Sequence, residues 1–173
     1  IVMQKRKYTN REDCMKHIIL VDSEYGRGAL HKSLGAYNYH QIKAPYNTAK
    51  LVRAIKELEA MDQIDVIIPD SLTHYWSKDG GILDLKAKKD SQGGNSYANW
   101  QEFTMQFNKM IDVILESPKH IICTARSKND TVIDTSSGKA VPKTYGLKPE
   151  LRDGIEYDFD ISVNIDKSTH NML

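Results

Sequence analysis

The residues best suited to chemistry stand at the ends of short apolar runs. Asp22 and Glu24 follow His17-Ile18-Ile19-Leu20-Val21, and Asp70 and Ser71 follow Val66-Ile67-Ile68-Pro69. Thr124, Arg126 and Lys128 follow His120-Ile121-Ile122-Cys123. A carboxylate after an apolar strand can hold Mg²⁺, directly or through water. A second carboxylate nearby can orient and activate water. An Arg or Lys offsets charge on phosphate oxygens. If the three ends meet at one sheet edge, the set suits a metal-bound phosphate ester. The plainer reading is that acids end strands because strand ends meet solvent.

The elements that must position these groups follow from pattern. The runs at 17–21, 65–69 and 120–123 are β-branched and nearly continuous, as expected of strands buried on both faces. Residues 39–44 form a weaker strand candidate closed by Pro45. Asn47 or Thr48 then caps a helix with Leu51, Ile55 and Leu58 at helical spacing. The polar stretch 77–99 holds Gly80, Gly81, Gly93 and Gly94. It reads as a long loop with one short helical piece around Ile82 to Ala87. Residues 100–116 place Phe103, Phe107, Met110, Ile111 and Ile114 on one helical face. Residues 131–134 and 140–143 flank Ser136-Ser137-Gly138 as a hairpin. Tyr157, Phe159, Ile161, Val163 and Ile165 alternate with polar residues, the pattern of a strand with one wet face. A polar tail, 167–173, is expected to fray. Strands alternating with helices give an α/β class with a mostly parallel sheet and flanking helices.

Composition narrows the function classes. The chain has 173 residues, 27% charged and 40% hydrophobic, with a formal charge of +1. That balance suits a folded domain and sets up no strongly basic field. Cys14 and Cys123 are too few for a disulfide framework and fit a reducing compartment. No apolar run approaches the roughly 18 residues of a membrane span. The opening Ile1-Val2-Met3-Gln4-Lys5-Arg6-Lys7 lacks the apolar core of a signal peptide. A soluble, cytoplasmic domain is expected. Cys14-x-x-His17 has no second pair at zinc spacing.

The order of these segments resembles that of RecA-like ATPases. Val21-Asp22-Ser23-Glu24-Tyr25-Gly26 resembles their strand and catalytic glutamate, and Ile64 to Ser71 resembles their Walker B strand. The likeness extends to AAA-type, RecA-like ATPases of phages associated with single-strand annealing and recombination. The stretches that carry it are Asp70-Ser71-Leu72-Thr73-His74-Tyr75-Trp76, the run from Ser117 to Lys128, and Arg152 to Asp160. The resemblance covers about His17 to Asp166. It implies one RecA-like core over 1–166 followed by the tail. It implies ATP and Mg²⁺ as cofactors, with Asp70 as the metal-holding acid and Glu24 polarising the attacking water. Arg126 falls where the family senses the γ-phosphate, and Lys128 is a weaker candidate for that place. Asp22 and Ser71 join Lys128 as nucleotide-facing candidates. Segment 127–143 is implied to face single-stranded DNA. Lys86, Lys88, Lys89, Lys139 and Lys143 are candidates for phosphate-backbone contact, against the ordinary reading of solvated loop lysines. A homo-oligomer, and a phage recombination or single-strand-binding protein as partner, are expected on the same basis.

One family feature is missing. No Gly-x-x-x-x-Gly-Lys-Ser/Thr occurs in the sequence. The expectation is therefore a core whose first strand and phosphate loop are absent from this chain. ATP hydrolysis would be impaired unless that loop is restored upstream, and a bare sheet edge would await a partner. Two other readings stay open. One is a non-enzymatic DNA- or protein-binding module on a degenerate RecA-like fold. The other is an unrelated metal-dependent hydrolase using Glu24 and Asp70. His74, Tyr75 and Trp76 could stack on a base, although such clusters more often pack a loop onto its domain.

Overall fold

A computed structural model describes Tyr8, residues 10–134, residues 141–166 and residues 168–172. In chain order the elements begin with α1 (Arg11–Met15), β1 (Ile18–Asp22) and a 3-10 segment over Arg27–Leu34. β2 (Asn38–Gln41), α2 (Thr48–Glu59), β3 (Val66–Asp70) and α3 (Leu72–Ser77) follow. Then come α4 (Ile82–Ser91), α5 (Ser96–Leu115), β4 (His120–Ile121), β5 (Ser127–Asp134) and β6 (Val141–Pro149). A second 3-10 turn spans Ile155–Tyr157. The chain divides into two units, Ile1–Thr124 and Ala125–Leu173.

The first unit is the α/β body expected from the pattern. Its sheet runs β2-β1-β3-β4, and every pair is parallel. Ile18 to Asp22 of β1 pair with Val66 to Asp70 of β3, so Asp22 lies opposite Asp70. Parallel neighbours bring their carboxyl ends to the same edge, and that is what gathers the acids. β4 is assigned only two residues, but Ile122 N–H donates to Ile67 O at 3.0 Å and Thr124 N–H to Pro69 O at 3.1 Å. The chain therefore follows β3 as far as Thr124.

Asn47 caps α2: its side-chain oxygen accepts from Lys50 N–H at 3.0 Å. Leu51 and Ile55, one turn apart on α2, are fully buried, as are Ile67 of β3 and Phe107 and Met110 of α5. Each such side chain removed from water stabilises the fold by about 2 kcal/mol. α5 packs against α2 and α4. Trp76 of α3 meets Trp100 and Phe107 of α5 edge-on, with centroids 5.8 and 4.9 Å apart. His74, Tyr75 and Trp76 are all buried. The cluster thus anchors α3 to the body, and the base-stacking reading of these three rings does not hold.

The stretch read as a long loop is largely helical. α4 carries Lys86–Asp90 and Lys88–Asp84 pairs at i,i+4, the spacing that supports a helix without an apolar stripe. Apolar periodicity therefore could not reveal it. Gly81 precedes it where a Cβ would lie 2.8 Å from both His74 O and Lys78 O. α5 starts four residues before Trp100, because Asn95 Oδ1 accepts from Tyr97 and Ala98 N–H at 2.9 and 3.3 Å.

In the second unit β5 and β6 pair antiparallel from Ser127↔Pro149 to Asp134↔Val141, a longer hairpin than the sequence suggests. The alternating stretch 157–166 is not a strand: it follows a 3-10 turn and leaves Tyr157, Ile161, Val163 and Ile165 exposed. Alternation specifies a strand only where another strand receives its backbone bonds. One carboxylate holds residues 168 and 169. Asp166 Oδ1 accepts from Ser168 and Thr169 N–H at 2.9 and 2.7 Å, and Ile165 bridges to Met172. Those bonds, first that from the Ser168 hydroxyl, lower the Asp166 carboxyl to about 2.

Candidate functional site

The edge formed by the ends of β1, β3 and β4 is stitched together by short side chains. Ser23 N–H donates to Asp70 O at 2.7 Å, and Ser71 N–H donates to Ser23 Oγ at 2.9 Å. The Ser23 hydroxyl lies within reach of Asp70 O at 3.1 Å and Ser71 O at 3.2 Å. Leu72 N–H donates to Thr124 O at 2.9 Å, and Thr124 Oγ1 to Asp70 Oδ1 at 2.5 Å. The Asp70–Ser71 peptide is cis. The ends of three consecutive sheet strands are thereby tied together.

Glu24 and Asp70 stand on the same rim. Glu24 is 8% exposed, and its Oε1 accepts from Ser71 Oγ at 3.1 Å. His74, fully buried on α3, brings Nε2 to 3.2 Å from the same oxygen. Its Nδ1 lies 2.7 Å from Ser23 O. The His74 ring packs against Tyr46, centroids 5.0 Å apart, and against Tyr25 at 5.6 Å. Burial, ahead of the neighbouring Tyr25 and carboxylates, raises the Tyr46 hydroxyl above its usual range. The residue that sequence reasoning undervalued is His74. The available signal was its place three residues after Ser71, in the first turn of a short helix that begins directly after the strand end.

Asp22 has an inward role. It is fully buried, and its carboxylate accepts from Glu24 N–H at 2.5 Å, Gly28 N–H at 2.9 Å and the Tyr39 hydroxyl at 2.8 Å. These bonds fold the chain back after β1 and aim Glu24. Burial and then the bond to Asp22 push the Tyr39 phenol up to about 12. Gly28 is required by the close approach: a Cβ there would lie 2.3 Å from Leu20 Cδ2 and 3.2 Å from Asp22 Oδ2. Asp22, a nucleotide-facing candidate by sequence, has both carboxylate oxygens bonded inside the fold, where they position the loop after β1.

The remaining candidates divide by unit. Arg126 and Lys128 fall in the second unit; Arg126 O accepts from Glu150 N–H at 2.7 Å, and Lys128 lies opposite Lys148 in the hairpin register. Lys86 and Lys89 pair with Asp90 and Glu102, and Lys88 donates to Asp84 at 2.7 Å and Asp79 at 3.3 Å. The three lysines thus sit on an ion-paired helix rather than in an open basic loop. Lys139 lies outside the described residues, as does the side chain of Lys143 in β6. An open concavity of about 240 Å³ in the second unit is lined by Asp130, Lys148, Arg152, Asp153 and Glu156. Lys148 already bridges Asp130 and Asp153 there, both at 3.2 Å, which offsets its charge. Cys123 is a neutral thiol, pushed up to about 12 by burial.

Among the described residues no three His, Cys, Asp or Glu side chains converge on a metal position. Mg²⁺ does not need such a cage, since it keeps several waters and takes one or two carboxylates plus substrate phosphates. Asp70, a half-buried oxygen donor beside Thr124, fits that demand. No helix among the described residues is long and apolar enough to cross a membrane.

A family model described as an AAA domain matches residues 14–171. No curated protein and no solved structure matches the chain.

Proposed function

The chain belongs to the AAA-domain family, and from that premise we propose that it supplies the water-activating and metal-facing half of an ATPase site. Nucleotide binding with Mg²⁺ is the general property of such domains. The observation that supports the reading is the parallel register Asp22↔Asp70, together with the bond from Ser71 Oγ to Glu24 Oε1 beside Asp70. Asp70 would hold Mg²⁺, which neutralises phosphate charge when bound. Glu24, kept on the same rim by Ser71, would accept a proton from water aligned against the terminal phosphate. Phosphoryl transfer depends mainly on such positioning and charge neutralisation. The 173 residues contain no phosphate-loop motif, so the reading assigns them no phosphate cradle. On the motif resemblance alone, Arg126 is the proposed γ-phosphate sensor, with Lys128 the weaker candidate.

The finer reading is a RecA-like ATPase acting on single-stranded DNA in phage-type recombination or annealing, as a homo-oligomer beside a single-strand-binding or recombination partner. Its support is the ordered set of motifs at 70–76, 117–128 and 152–160. The hairpin beginning at Ser127, with Lys139 and Lys143, is the proposed DNA-facing segment. Glu24→Gln in the intact protein is expected to lower DNA-stimulated ATP hydrolysis about a hundredfold or more, with nucleotide affinity retained. Unchanged hydrolysis would reject Glu24 as the base. Oligonucleotide binding with no nucleotide binding would favour the non-enzymatic module.

A further inference from the structure

We propose that His74 is the positioning residue of Glu24, holding Glu24 Oε1 from inside the fold so that the carboxylate meets water in one orientation. The proposal rests on the reading of Glu24 as the water-activating group. Its basis is hydrogen-bond logic. A backbone carbonyl only accepts, so His74 Nδ1, at 2.7 Å from Ser23 O, carries a proton. Nε2 faces Glu24 Oε1 at 3.2 Å. With Nδ1 committed to Ser23 O, Nε2 is the ring atom left to donate to the Glu24 carboxylate. His74 therefore reads two adjacent residues at once: the backbone of Ser23 and the side chain of Glu24.

The ring has little freedom to do anything else. It is fully buried, whereas the Glu24 side chain keeps 11% exposure. Tyr46 and Tyr25 pack against it, and its own helix follows directly after Ser71, the second group bonded to Oε1. Oε1 is thus approached by one side chain of α3 and by the residue that precedes it. Groups behind a reacting residue that fix its orientation typically matter about ten- to a hundredfold in activity.

Two measurements test this in the intact protein. Ring-nitrogen NMR of His74 in the wild type and in Glu24→Gln reads the contact without any turnover. The Nε2 signal is expected to shift while Nδ1 stays protonated; an unmoved Nε2 signal overturns the contact. Kinetics then separate positioning from mere packing. His74→Ala is expected to lower kcat about tenfold to a hundredfold with KM for ATP unchanged. His74→Gln, whose amide can still donate to Oε1, is expected to recover most of that loss. Equal losses in both variants, or a change confined to KM, would overturn the positioning role; urea unfolding of both variants identifies a loss caused by misfolding. A wild type that hydrolyses no ATP, with the NMR coupling intact, would instead sink the reading of Glu24 and leave His74 as the partner of an inert carboxylate.

Discussion

Asp22 and Asp90 each gather three hydrogen-bonding partners, yet they sit in opposite surroundings. Asp22 is fully buried at the end of β1 and is held by two backbone N–H groups and a phenol. Asp90 lies near the end of α4 with its side chain 28% exposed, held by Asn99, Ser96 and Lys86. The Asn99 amide, then Lys86, hold its carboxyl down at about 2. Water stands in for lost partners at Asp90 and cannot at Asp22. Equal numbers of bonds therefore carry unequal weight, because a buried donor left without an acceptor bears its full desolvation cost. The same contrast separates the strand-end rim from the α4 lysines: one is an interior polar network, the other a solvated ion-paired face.

Substitutions can break or sharpen this contrast. The largest effect is expected from Asp22→Asn, which turns an amide N–H toward groups that themselves donate. It should lower stability by about 3 kcal/mol in urea unfolding; an equal loss in Asp90→Asn would erase the distinction. Gly28→Ala should cost about 1 to 2 kcal/mol, because Leu20, Tyr39 and the Asp22 carboxylate must all give way. A neutral outcome would show that the loop after β1 is looser than its bonds imply. The smallest effect belongs to Asp90. Its folded carboxyl is depressed, so its contribution is full above the ordinary carboxylate range and fades as pH falls toward about 2. The gap in urea midpoint between wild type and Asp90→Asn should close over that interval and shrink with added salt. A gap that persists at pH 2 would mean that the partnership is not ionic.

Much of the first unit was legible because burial leaves strong marks. The runs ending at Asp22 and Asp70 had to be interior strands, and Asn47 with Leu51, Ile55 and Leu58 had to be a capped helix. Glu24 and Asp70 were legible as a pair once the strands were taken as parallel neighbours. The start of α4 was legible as the helical piece around Ile82 to Ala87; its extent to Ser91 was not, since ion pairs rather than an apolar stripe support it. The stretch 157–166 misled for the converse reason: it alternates correctly but has no neighbouring strand to complete its backbone bonds.

Residue types, their order and the local period were enough to fix the α/β class and the strand ends that bear acids. Which acids face outward was settled only in three dimensions. Asp22 and Glu24 are two residues apart in a similar local setting, yet one is consumed by Gly28 and Tyr39 while the other meets Ser71 and His74. Gly28 is six residues from Asp22, but Tyr39, Ser71 and His74 come from farther along the chain, and hydrogen bonding in a water-poor interior depends on where groups converge rather than on their spacing in sequence.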